Sequence, residues 1–403
     1  MTETITAPVH GDVREGFEGV RRAFEENFRS HGDKGASCAV YVDGDLVVDL
    51  WGGTADVATG REWREDTVAL VYSATKGAVA VLCAVLAERG DLDLDATVAS
   101  YWPEFAANGK DAVTVRMLLN HQAGLPVLAD NITRAQIIQV QPVVERLAAQ
   151  APIWAPGSAH GYHALTYGWL IGEVVRRATG HSLGQQFAEL IAQPLGLDFH
   201  IGLPDDVERR LAQLVDPEAF DPAVLDEITD PEAKAMVLEV LTAMGDPESL
   251  LARALSTNGA LPIPSAAAWN DRSIHTTEMP AANGITNARS LARMYAACMG
   301  PVDGTRLLDD VALERAVAEQ SAGPDRVLLT PSRFGNGFML LSPVAQLLSD
   351  SSFGHTGAGG ALGFGDRDSG AAFGYVQNQF GGGVAGDPRT LGLIAALRAA
   401  LTA

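Results

Sequence analysis

Apolar positions first recur at helical spacing: Phe17, Val20, Phe24 and Phe28, between Gly16 and Arg29, share one face and predict an amphipathic helix. The pattern then becomes strand-like. Cys38 to Val42 and Leu46 to Trp51 flank Asp43-Gly44, a dipeptide suited to a tight hairpin, so an antiparallel sheet begins here. A long apolar helix follows from about Ala74 to Arg89, with Gly90 as its stop. From there to about residue 275 helical patterns dominate, among them Val115 to Leu119, Gln141 to Gln150, Leu165 to Ala178 and Leu183 to Ile191. Ala155-Pro156-Gly157 and Gln193-Pro194 punctuate them. After Asn287-Ala288-Arg289-Ser290 another helix, Leu291 to Met299, leads into a glycine-rich region. Phe353 to Phe364 and Ala371 to Phe380 read there as two neighbouring strands, and Thr390 to Leu401 as a closing helix.

Strands at both ends with helices between them predict an α+β architecture: the chain leaves a sheet, builds a helical lobe and returns to complete the sheet. The expected division is a discontinuous sheet domain, 1–66 and 275–403, and a mostly helical domain, 67–274, with a pocket-forming insertion over 204–274. Pro204 to Glu278 is acidic and carries Asp-Pro steps at Asp216, Asp221, Asp230 and Asp246; a pocket wall and a solvated spacer fit it equally. A site belongs in the cleft between the lobes. At 403 residues the chain exceeds one ordinary domain, and 47% hydrophobic residues supply a core.

Charge narrows the partners. A formal net charge of -21 argues against nucleic acid and against an anionic membrane surface. Met1 to Arg14 lacks an apolar secretion core, and no apolar run reaches membrane-spanning length, so the cytoplasm is the expected compartment. Cys38, Cys83 and Cys298 are far apart, without C-x-x-C or zinc-like histidine spacing, so neither a disulfide framework nor a metal site is expected. Nothing calls for a cofactor, and the sequence leaves the oligomeric state open.

The chemistry concentrates in Ser73-Ala74-Thr75-Lys76. Residues i and i+3 share a helix face, so the amine can reach the serine hydroxyl and take its proton. Near a helix start the positive end of the dipole favours a developing negative charge, and an activated serine can attack a carbonyl carbon. With only four lysines in the chain, roughly 0.2 accidental S-x-x-K matches are expected by counting. A helix-capping Ser73 and a solvated Lys76 would explain the tetrapeptide alone. The flanks, Val68 to Tyr72 and Gly77 to Leu82, are small and apolar, which predicts a partly desolvated lysine and a better base.

Tyr162 stands at a loop-to-helix junction after Pro156-Gly157, where a phenol beside a lysine can pass a proton; a buried structural tyrosine is the alternative. Gly354-His355-Thr356-Gly357-Ala358-Gly359-Gly360 is expected on a strand, where small residues let a substrate lie close and an N–H bind an oxyanion together with that of Ser73. A closely packed sheet strand is its plain alternative, and the nucleotide-binding glycine pattern is incomplete. Gly180-His181-Ser182-Leu183-Gly184 matches a nucleophile elbow, but a helix precedes it; Gly180 as a C-cap and Ser182 with Gln185 as a capping box explain it without chemistry. His121 has no paired acid at a recognisable spacing and fits a helix-ending residue that satisfies loop backbone. His160 and His163 lack a third ligand for a metal.

S-x-x-K, a tyrosine roughly ninety residues on and a His-Thr-Gly strand near the C-terminus together resemble the serine β-lactamase and penicillin-binding-protein superfamily, in its class C-like branch and closest to the family VIII carboxylesterases. Leu119 to Leu125, Tyr162 to Ile171 and Pro280 to Tyr295 also look like segments of that group. The resemblance implies a β-lactamase-like fold. It makes Ser73 the acylated nucleophile, Lys76 its base and Tyr162 the proton shuttle, with an oxyanion hole from the amides of Ser73 and Ala358. His355, Thr356 and Gly357 are then expected to line the substrate. In two places the sequence departs from the β-lactamase pattern: Ala164 replaces the Y-x-N asparagine and His355 the K-T-G lysine. Each removes a polar group that would hold a β-lactam, which points to uncharged esters of short or medium acyl chain. β-Lactamase or D-amino-acid peptidase activity, acyl transfer, and acyl binding without turnover are the alternatives.

Overall fold

The computed structural model describes residues 8–219, 221–381 and 387–402; the first seven residues of the polar stretch Met1 to Arg14 lie outside them. The hydrophobic pattern at the start becomes helix α1, Glu18–Ser30, with Val20, Phe24 and Phe28 buried. The hairpin forms between β2 (Gly35–Val42) and β3 (Asp45–Asp56). Asp43 and Gly44 turn it at φ 49° and 87°, the left-handed values that a short hairpin loop requires. α2, Thr75–Glu88, is buried from Thr75 to Leu86, and Gly90 follows it at φ 78°.

The strands of both chain ends join one antiparallel sheet. β1 (Val9–Val13) lies beside β3, and β4 (Arg61–Glu62) pairs with the end of β3. On the other side of β2 come, in spatial order, β13 (Ala371–Gln377), β12 (Leu362–Asp366), β11 (Ser352–Thr356), β10 (Met339–Leu340), β9 (Ser332–Phe334) and β8 (Ser321–Gly323). The join is β2 on β13, with Val42 opposite Ala371 and Ala36 opposite Gln377. A second, three-stranded sheet of β5 (Ala69–Leu70), β7 (Gly284–Thr286) and β6 (Phe199–Ile201) leads the chain into the Ser73 segment.

Period-2 alternation divides the core. Cys38 and Val40 of β2 pack with Phe24 of α1 and Leu393 of the helix Pro388–Leu401; Ala39 and Tyr41 face the opposite cluster, which holds Leu291 and Tyr295. That second face is covered by the helix Ala288–Met299. It sits so close that a Cβ at Gly374 would lie 2.3 Å from the Ala288 carbonyl oxygen. The expected helices at Val115–Leu119, Gln141–Ala149 and Thr166–Thr179 are present, and Pro204 to Glu278 holds further helices, the longest Pro231–Gly245. None of the described helices is long and apolar enough to cross a membrane.

One expectation needs correction. Phe353 to Phe364 is not one strand but two, β11 and β12, joined by a tight turn over Ala358–Gly360. The glycines cause this: Gly359 and Gly360 take φ 82° and 114°, and their freedom lets the chain reverse within three residues. Ala358 therefore stands on a turn rather than along a strand.

Candidate active site

Ser73 precedes α2 on a taut loop. Tyr72, a non-glycine residue, holds φ 46° there. The loop is pinned where Val71 N–H donates to the Gly284 carbonyl at 2.9 Å and Gly284 N–H donates to Thr75 Oγ1 at 2.8 Å. The helix N-cap position is Ala74, with no side-chain cap, so the Ser73 hydroxyl is free of capping duty.

Lys76, the second residue of α2, has no exposed surface. Its Nζ stands 3.0 Å from Ser73 Oγ, 2.7 Å from the Ala164 carbonyl oxygen and 2.9 Å from that of Ala281. Burial holds its pKa well below the ordinary lysine value of 10.5. Once the amine has lost its third proton, the two carbonyls can take its two N–H groups and its lone pair is left for the Ser73 O–H. No carboxylate is among these partners to stabilise an ammonium.

Tyr162 packs beside this amine, its ring centroid 4.8 Å from Nζ. Burial pushes the phenol's pKa up, and a side-chain hydrogen bond with Ser73 offsets part of the rise, so the phenol is neutral at pH 7. Its backbone is fixed from the far side: Tyr162 N–H donates to Asp325 Oδ1 at 3.0 Å. The same carboxylate accepts from Val327 and Leu328 N–H at 2.8 and 2.9 Å and from Ser332 Oγ at 2.9 Å. Ser332 Oγ in turn lies 3.0 Å from His160 Nε2.

His121 and His163 are engaged by the surrounding main chain. His163 N–H donates to His121 Nδ1 at 3.1 Å, while His163 bridges the Gly161 carbonyl and Leu125 N–H at 2.7 and 2.9 Å. Burial lowers both pKa values, that of His163 to about 4. Gly180 caps its helix at φ 80°, and Ser182 forms the capping box with Gln185 and donates to Glu278 at 2.6 Å, which accounts for the elbow-like motif.

The β11 turn lies against the nucleophile loop: a Cβ at Gly357 would sit 2.2 Å from the Val71 carbonyl oxygen, and one at Gly359 would sit 2.8 Å from the Phe380 ring. Phe380 stacks edge-on with Tyr72 at 5.7 Å, tying the turn to the residue before Ser73. Among the described residues the main-chain N–H groups of Ser73 and Ala358 have no hydrogen-bond partner. Thr356 and Ala358 keep exposed surface, whereas Gly357 and His355 are buried. His355 stands 6.0 Å ring to ring from Tyr162, with Nδ1 2.7 Å from the Thr356 carbonyl, and burial lowers its pKa to about 3.

The profile of the Beta-lactamase family matches residues 20–397. The chain belongs to the beta-lactamase family. It is 37% identical over 376 residues to the esterase/beta-lactamase LipL of Mycobacterium tuberculosis, spanning 92% of this chain and 83% of LipL. Among solved structures, a family VIII carboxylesterase superposes with a TM-score of 0.83 at 37% identity, covering 96% of this chain and 98% of that one. A penicillin-binding protein homolog from Caulobacter crescentus gives 0.81 at 36% identity, over 98% and 100% of the two chains. Within this beta-lactamase-family fold, Ala164 meets Lys76 through its main-chain carbonyl, a contact for which the residue's side chain is immaterial.

Sequence reasoning found Ser73, Lys76 and Tyr162, which the fold brings together, but missed the Ala281 carbonyl and Asp325. A carbonyl acceptor leaves no side-chain signal, and Asp325 sits in a segment, Gly323 to Pro331, with no periodicity to draw attention to it.

Proposed function

We propose that this protein is a serine hydrolase that cleaves small-molecule carboxylic esters of short to medium acyl chain through a covalent acyl-enzyme on Ser73. The observation that carries the reading is the buried amine whose two N–H groups are spoken for and whose lone pair is left for the serine hydroxyl. Ser73 Oγ attacks the ester carbonyl carbon as its proton passes to Lys76 Nζ. The oxyanion of the tetrahedral intermediate is held by the N–H groups of Ser73 and Ala358. Collapse breaks the ester C–O bond, and the alkoxide takes a proton relayed from Lys76 through the Tyr162 phenol. Water then attacks the acyl carbon as its proton travels by the same relay to the amine; collapse breaks the acyl–Oγ bond, Oγ takes that proton from Lys76, and the acid departs. The neutral phenol suits a relay rather than a base of its own.

Uncharged esters fit better than β-lactams. Ala164 has only a methyl where an amide side chain would hold a lactam, and the buried, neutral His355 imidazole offers no cation to a carboxylate. The names of LipL and of the family VIII carboxylesterase structure agree with ester cleavage. LipL's name also carries β-lactamase, so nitrocefin belongs beside the esters in the assay.

Ser73→Ala is the test. Turnover of a chromogenic short-chain ester is expected to fall at least about 1000-fold, as for removal of a serine nucleophile elsewhere. The acyl adduct seen by intact-protein mass spectrometry after rapid quenching is expected to disappear. Retained turnover overturns the reading; nitrocefin turnover rivalling that of esters moves the substrate class to lactams.

A further inference from the structure

The turn that carries Ala358 is braced from outside by an ion cluster the chemistry above does not use. Within the turn, Gly357 N–H donates to the Ala361 carbonyl at 2.6 Å and Gly360 N–H to the Gly357 carbonyl at 3.1 Å. The Gly359 carbonyl points the other way and accepts from three donors: Gly381 N–H at 2.9 Å, Gln377 Nε2 and Arg389 Nη2. Arg389 is 1% exposed, in the first turn of the helix Pro388–Leu401. Its Nη1 donates to Asp33 Oδ1 at 2.8 Å and to the Gln379 carbonyl at 2.9 Å, and its Nε donates to Asp387 Oδ1 at 2.9 Å. Asp33, also 1% exposed, accepts from the Tyr375 hydroxyl as well.

We propose that Arg389, oriented by Asp33 and Asp387, is a positioning residue that sets the aim of the Ala358 N–H by gripping the Gly359 carbonyl. The proposal rests on the ester-hydrolase reading and on Ala358 as an oxyanion donor. Two glycines at positive φ give the turn many conformations to lose, so a tightly held carbonyl one residue beyond the donor decides where that donor points. A guanidinium suits the task because its planar fork serves Asp33, Asp387 and the carbonyl at once, which a lysine ammonium cannot. Burying a cation with two carboxylates is a weak source of stability, so a cluster of this kind beside a reacting centre is better explained by orientation than by stability.

The test compares Arg389→Lys and Gln377→Met with the parent, each active site first counted by titration with an alkyl phosphonate that labels Ser73. Removing a whole oxyanion donor costs about 100- to 1000-fold in kcat, so a donor left unaimed is expected to cost about 10-fold or more per titrated site. KM is expected to stay within about twofold, and the affinity for a reversible alkyl boronic acid, which mimics the tetrahedral oxyanion, to fall in step with kcat. If the cluster only stabilises the fold, Arg389→Lys lowers the melting temperature and the titratable fraction while kcat per site and boronic-acid affinity match the parent. That result overturns the proposal. Should Arg389→Lys not fold, Gln377→Met decides alone: it removes one of the three donors to the same carbonyl and leaves the ion cluster intact, so kcat per site and boronic-acid affinity are expected to fall together by a smaller factor, and parent values of both overturn the proposal. Failure here with Ser73 still labelled leaves the ester-hydrolase reading standing; absence of phosphonate labelling in the parent removes both.

Discussion

Replacing Lys76 by methionine keeps the apolar stem and deletes the lone pair, so kcat/KM is expected to fall by about 100- to 10,000-fold, the usual worth of a positioned base. In the parent, kcat/KM should rise with pH as the amine loses its proton, on a limb centred well below 10.5, because burial disfavours the ammonium. A pH–rate profile of the parent checks the position of that limb. Asp325 acts at one remove: Asp325→Ala strips the acceptor from three N–H groups, two of them buried, and a hydroxyl. A loss of about 3 kcal/mol or more in urea unfolding is expected, with Tyr162 displaced. The contrast between the two residues marks what a sequence exposes. Ser73 and Lys76 announce themselves because helical geometry forces positions three apart together. Asp325 lies 163 positions from the tyrosine it holds, and nothing local reports that contact.

At the scale of elements, helix α2 meets the helix Ala288–Met299 at Gly77, against the Tyr295 side chain. A Cβ at Gly77 would sit 1.9 Å from the Tyr295 hydroxyl oxygen, which is buried with no hydrogen-bond partner. Gly77→Ala is therefore expected to destabilise the protein by about 1–3 kcal/mol through overpacking and to slow turnover by shifting the adjacent Lys76. Tyr295→Phe removes the offending atom and should recover part of both losses, which a double-mutant cycle of unfolding energies and rates measures. The elements themselves were largely legible: α1 has a clean helical period, α2 is a long apolar run stopped by glycine, and Asp43-Gly44 marks the hairpin. The β11–β12 turn was misread because a run of glycine and small residues has no period to follow, and its reversal depends on backbone freedom. Short strands such as Ala69–Leu70 and Phe199–Ile201 are fixed by their partners, not by propensity, and left no trace in the pattern.

For the whole molecule, buried imidazoles make stability depend on acidity. His355 has a folded pKa of about 3 against 6.5 for the free side chain, so between these values the unfolded chain binds the extra proton and stability falls as pH falls. His355→Gln lacks that term. Its urea midpoint should decline less steeply than the parent's between pH 6.5 and 4, and equal slopes would refute the assignment. The α+β organisation, with strands from both ends enclosing a helical middle, was readable because the hairpin signal and the glycine-rich strands stand at opposite extremes of the chain. Which strand neighbours which was not, as register is decided by long-range pairing.

That pairing has a consequence for biosynthesis. β13 is wedged between β2 and β12, yet it follows every other strand in the order of translation. A ribosome must deliver Gln377 before Ala36 can find its neighbour, so the early hairpin waits with an open edge while more than three hundred residues emerge. The Ala358 turn is braced by Gln377, Gly381 and Arg389, all made after the turn itself. If that turn sets the oxyanion donor as proposed, a polypeptide cut short before them would carry its serine and lysine and remain inert, its hydrolytic power waiting on the final stretch of synthesis.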